Sequence, residues 1–169
     1  MDLQTITDLF NYSYWAFDQI WPSIIQLNDE QFTTEVPYSL GSIRNQIIHL
    51  ISGHRRWVQR VQGIEPSPHL IFEDFPTKVL VKDAWDSAKD NMLAYISSIT
   101  NQSLMDSVIY KIPSRSVDSH NTRLEILLHL VNHSTDHRSQ ILSILSNNFG
   151  IETPEHDYIL YLWSKEKDI

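Results

Sequence analysis

Residues 121–150 read NTRLEILLHLVNHSTDHRSQILSILSNNFG. Apolar side chains recur at Leu124, Leu127, Leu128, Val131, Ile141, Leu142 and Leu145, the spacing of one face of an α-helix. Gly150 offers a stop, because the residue just past a last helical turn commonly takes a left-handed conformation that glycine adopts without strain. The stretch therefore predicts one long helix from just after Asn121 to Gly150. Within it His129, His133 and His137 follow one another at intervals of four. At 3.6 residues per turn, His133 and His137 project from neighbouring turns and can close on one ion, as H-x-x-x-H pairs do with zinc. They sit at the edge of the apolar stripe, so they line a groove rather than the dry core.

Working outward, the same period recurs. Ile6, Phe10, Phe17, Ile20 and Ile24 predict a first helix over residues 2–27, with a kink or break at Pro22. Residues 33–38 read as extended linker, since Pro37 disfavours helix at Val36. Ile43, Ile47, Leu50, Ile51, His54, Val58 and Val61 predict a second helix, capped by Ser39 or Ser42 and ending before Gly63. Three prolines make residues 63–79 a long connection. Trp85, Ala88, Met92, Tyr95 and Ile96 mark a third helix over 81–99. Residues 101–120, with Pro113 and several serines, read as loop with a short extended piece near 108–112. Thr153-Pro154-Glu155 reads as a cap with proline at the first helical position, opening a short last helix through Trp163. Four long helices and a short fifth in 169 residues make a single all-α domain, a four-helix bundle.

Composition narrows the function. The formal charge is −8, and no basic stripe suggests nucleic acid. No cysteine is present, which removes thiol nucleophiles, disulfides and Cys-ligated metals. With 41% hydrophobic residues, no long uncharged apolar run and an acidic start, the expectation is a cytoplasmic protein without a membrane segment or signal peptide. Two histidines make an incomplete metal site, so a third ligand must come from another helix. The second helix offers His54, in the middle of its apolar stripe, and His49, well off it. Periodicity favours His54; spacing alone does not settle the choice.

Several blocks resemble the DinB-like family of DNA-damage-inducible four-helix bundles, which includes bacterial thiol-dependent S-transferases. They are Leu9-Phe10-Asn11-Tyr12 with Trp15-Ala16, Ser42-Ile43-Arg44 leading to Ile48-His49-Leu50 and Trp57, and Asp157-Tyr158 before Tyr161-Leu162. The most specific is residues 129–140, HLVNHSTDHRSQ, which is similar to the signature H-x-x-N-H-x-x-x-H-R-x-Q. Ser139 stands where glycine is usual, and Asp136 where an aromatic is common. The resemblance implies an up-down-down-up bundle with a long crossover between the second and third helices. It also implies a homodimer and a metal held by His49, His133 and His137. In that topology the second and fourth helices are antiparallel, and His49 and Trp57 face the edge that carries His133 and His137.

Three imidazoles leave positions open for water or substrate, which is a catalytic arrangement. The ion is expected to be divalent, zinc or nickel first, with iron, manganese or copper compatible with the same donors. Asn132, Asp136, Arg138, Gln140, His54, His129 and Trp57 are the candidates for orienting ligands or touching substrate. Arg138 has the alternative of a core-edge arginine bonded to Asp157 or a carbonyl. With no cysteine in the chain, the resemblance implies that a low-molecular-weight thiol such as bacillithiol, mycothiol or glutathione is ionised at the metal and attacks an electrophile. Arg55 and Arg56 could offset the acidic surface for an anionic thiol. The same site admits a hydrolase using metal-bound hydroxide, or a non-enzymatic, stress-related metal-binding dimer.

Overall fold

The computed structural model describes residues 1–112 and 116–166, so the loop expected at Pro113 lies partly outside the described residues. Helix α1 spans Leu3–Ile24 and is capped by Asp2, whose carboxylate accepts from the Thr5 N–H. Pro22 lies in its final turn. Proline has no N–H and crowds the carbonyl four residues back, so the bond to Asp18 is lost within the helix, which ends at Ile24 and does not reach Leu27. A short helix that periodicity does not predict follows. This α2, Asp29–Thr33, is held by a reciprocal cap between Asn28 and Gln31 and sinks Phe32 completely into the core.

Helix α3 spans Ile43–Val61 with Ser42 as its cap. Helix α4, Lys78–Ser98, begins three residues before the expected start because Thr77 accepts from the Leu80 N–H. A two-stranded antiparallel hairpin then pairs β1, Ser107–Tyr110, with β2, Ser119–Thr122. Only its first strand was foreshadowed in the sequence. Helix α5, Arg123–Phe149, starts on a Thr122–Glu125 capping box and stops at Gly150, whose φ is +63°. Helix α6 spans Tyr158–Glu166, later at both ends than the sequence suggests. Two carbonyls in the segment before it are tied to α1: Ser23 donates to Glu152 O and Tyr12 to His156 O.

Side-chain pairs fix the topology. Gln46 meets His137 and Trp57 meets His129, so α3 and α5 are antiparallel. Lys89 pairs with Asp18 while Lys82 lies over Trp21, so α1 and α4 are antiparallel. The α3–α4 connection retraces α3 from end to start: Ser67 bonds Gln59, Pro68 accepts from Arg55, Leu70 donates to Ser52, and Glu73 reaches Arg44. The connection thus delivers α4 to the end where α3 began, and the two run parallel. The result is the up-down-down-up bundle with a long crossover. Trp85, stacked on Phe17 with ring centroids 4.0 Å apart, anchors its core. Among the described residues no helix is long and apolar enough to cross a membrane.

Candidate metal centre

The antiparallel packing of α3 on α5 brings three imidazoles to one point. His49 Nε2 lies 3.1 Å from His133 Nε2, and His137 Nε2 lies 3.1 Å from the same atom. All three ligand nitrogens fall within 4.8 Å of one another. Two nitrogens bound at zinc-like lengths to a common ion would stand about 3.0–3.4 Å apart, so the spacing suits a shared cation. The hydrogen-bond partners point the same way. Gln46 Oε1 accepts from His137 Nδ1, which leaves the His137 Nε2 lone pair directed into the cluster. His133 Nε2 faces two ring nitrogens but can carry one proton, and its Nδ1 has no partner among the described residues. A cation shared by three lone pairs satisfies what a single proton cannot.

Burial and crowding keep these rings neutral. Burial first, then the neighbouring His137 and His69 rings, push His49 down to about 4. Burial and the surrounding imidazoles push His133 to about 3. Burial also lowers His137, against the opposing pull of the Asp136 carboxylate. Neutral imidazole is the form that ligates metal, so little proton competition operates near pH 7. The ring of His133 lies against the α3 backbone at Gly53, where a Cβ would come 3.5 Å from Cε1.

The other candidate residues are placed elsewhere or differently. His54, which periodicity favoured as third ligand, is in the core: it is 1% exposed, its Nε2 is 3.0 Å from Ser134 Oγ, and it packs on Phe10, Tyr14 and Trp85. A residue central to an apolar stripe points at the bundle axis, whereas the histidines meet in a groove flanking that stripe. Arg138 is also buried. It bonds Tyr12 OH at 3.3 Å and lies over that ring, with neither Asp157 nor the metal centre as partner. Asn132 donates to Leu128 O on its own helix, and Gln140 accepts from Ser39 in the segment before α3; neither bonds His49, His133 or His137. Asp136 is exposed beside His137. His129 and Trp57 do flank the centre, with ring centroids 5.5 Å from His129 to His133 and 5.4 Å from His129 to Trp57.

Sequence reading missed Gln46. The sequence shows only an amide inside the Ile43-Ile47-Leu50 stripe, three residues before His49; its complete burial and its bond to His137 arise from the packing of α5 on α3. It also missed Tyr110, which the hairpin sets edge-on against Trp57 at 5.0 Å.

His54 carries a consequence for stability. Full burial holds its pKa down at about 4, against 6.5 for an unhindered imidazole. A depressed folded-state value means the unfolded chain takes up the proton first, so this stabilisation is present above pH 6.5 and lost as pH falls toward 4. Linkage gives about 2 kcal/mol lost by pH 5 from this group alone. Urea denaturation at pH 7.5 and pH 5 should show the metal-free parent losing about that much more than His54→Gln. Equal losses would contradict the assignment.

A sequence model of the DinB family matches residues 1–168. The chain is also similar to Protein DinB of Bacillus subtilis (strain 168), 26% identical over 160 residues and covering 92% of each chain. With a match that spans nearly the whole bundle, and three histidines grouped as a metal could use them, the chain belongs to the DinB family.

Proposed function

We propose that this protein is a metal-dependent enzyme that joins the thiolate of a small thiol cosubstrate to an electrophile, forming a C–S bond as the thiol proton and the electrophile's leaving group depart. The observation that carries the reading is the three-imidazole cluster, in which His49 and His133 remain only half-buried and so accessible from the groove. A divalent ion bound there supplies a Lewis acid that lowers the pKa of a thiol or water. His49, His133 and His137 would hold it through Nε2, with Gln46 fixing the tautomer of His137. Trp57 and His129 wall the groove beside the cluster and can seat the body of a cosubstrate. The chain has no cysteine, so the sulfur must arrive with the cosubstrate.

The test is conjugation of a chlorodinitrobenzene electrophile by zinc- or nickel-loaded protein, with glutathione, bacillithiol and mycothiol as separate donors. Thiol-dependent turnover that disappears on chelation and in His133→Ala is the expected result. Absence of metal-dependent thiol consumption with every donor would overturn it, and metal-dependent, thiol-independent ester cleavage would replace it with a hydrolase.

A further inference from the structure

A second polar opening lies where the C-terminal part of α3 meets the β-hairpin. It is a cavity of about 390 Å³, lined by Arg56, Arg60, Glu65, Tyr110, Lys111 and Asp118 among others. Arg60 is the informative member. It is only 8% exposed, its Nε has no hydrogen-bond partner, and it forms no ion pair among the described residues. Its support is the Trp57 ring, whose centroid lies 4.7 Å from the guanidinium carbon. Burying a charge is costly unless an anion accompanies it, and the guanidinium fork is shaped for carboxylate or phosphate.

Two further cations share the opening. Arg56 is held in place by donating to Ser67 O, a bond that leaves its charge unneutralised, and Lys111 is exposed on the hairpin. Glu65 and Asp118 are exposed, and neither comes within ion-pair distance of the three cations. Burial and the adjacent Arg56 charge both weaken the hold of Arg60 on its proton, with Tyr110 and Glu65 acting in the opposite sense. A chain of net charge −8 has thus placed three cations, none of them in an ion pair among the described residues, beside two exposed carboxylates at one hollow.

The hollow is joined to the histidines. From His133 the wall continues through His129 and Trp57 to Tyr110, each ring within 5.5 Å of the next. Trp57, Tyr110 and His129 also line a smaller hollow of about 310 Å³. Arg56 and Arg60 follow His49 by seven and eleven residues, about 10–16 Å along the helix.

We propose that the cavity at Arg56, Arg60 and Lys111 binds a carboxylate or phosphate group at the far end of the small molecule that reacts at the three histidines. The second half of this statement rests on the proposed function; anion binding at the cavity does not. The direct test is an NMR titration of the metal-free full-length protein with succinate, and separately with inorganic phosphate, at ionic strength held constant with sodium chloride. The Trp57 indole resonance should shift saturably with at least one of them, and the tighter probe identifies the anion. Binding should weaken at least tenfold in Arg60→Met and in the double variant Arg56→Gln/Lys111→Gln, which leaves the buried residue in place, while both variants keep the parent's metal content. No saturable shift with either anion, or unchanged binding in the double variant, would overturn the site. In turnover, Arg60→Met should raise KM for glutathione at least tenfold and leave KM for mercaptoethanol unchanged. An equal rise for both would detach the cavity from the reaction. Loss of thiol turnover in the parent with anion binding intact would defeat only the functional reading.

Discussion

His133→Ala should lose metal affinity by two to three decades while the bundle stays folded. His133 is the hub of the cluster, with its Nε2 3.1 Å from those of both His49 and His137. Structural zinc in four-ligand zinc-finger peptides is bound by about 10–16 kcal/mol, so each ligand contributes on the order of 3–4 kcal/mol. At about 1.4 kcal/mol per decade, that predicts a hundred- to thousandfold loss. The fold should tolerate the change because His133 is half-buried in a groove and its Nδ1 has no partner to lose. Competition titration against a chromogenic chelator reads the affinity, and circular dichroism reads the fold. A variant that retained parental affinity would remove His133 from the site.

Gln46→Leu should weaken metal binding by about 10–100-fold without destabilising the protein, the usual effect of losing a partner behind a ligating histidine. Gln46 is fully buried; among the described residues its side chain makes one hydrogen bond, Oε1 accepting from His137 Nδ1, and its Nε2 has no partner. Leucine fills a similar volume and removes that unsatisfied donor, so packing should hold. What disappears is the acceptor that keeps the proton on Nδ1. His137 can then move its proton to Nε2 and block the lone pair that the ion requires. Gln46→Glu restores an acceptor at the same reach and should recover most of the affinity. Rescue by glutamate but not leucine separates orientation of the imidazole from simple packing. Indistinguishable affinities for parent and leucine variant would deny Gln46 this role.

Much of this architecture is legible in the chain because the longest helices carry their own start and stop signals. Thr122 with Glu125 opens α5 and Gly150 closes it; Ser42 opens α3. The shorter pieces are not legible in the same way. Five residues of α2 carry too little periodicity to register, although the Asn28–Gln31 box that nucleates them was in view. The β2 strand, Ser119–Thr122, has no apolar alternation and exists through pairing with β1. The segment before α6 is held by Tyr12 and Ser23 on a helix more than a hundred residues away.

The candidate site divides along the same line. The pair His133 and His137 follows from spacing within one helix, whereas the choice between His49 and His54 depends on which helix lies beside α5 and in which direction. A hydrophobic stripe identifies the core-facing residues, and therefore picks out His54, which is buried there. Residues that meet in a groove flank the stripe, and their convergence becomes visible only with the antiparallel packing of α3 and α5. Gln46 and Tyr110 belong to the same class, since each acquires its place from a partner on another element.

The most direct measurement is the anomalous scattering map of crystals of zinc- or nickel-loaded protein, recorded on both sides of the metal absorption edge. One peak lying about 2.0–2.2 Å from Nε2 of each of His49, His133 and His137 is the predicted result. A peak placed elsewhere, or one bonded to fewer than these three nitrogens, would contradict it.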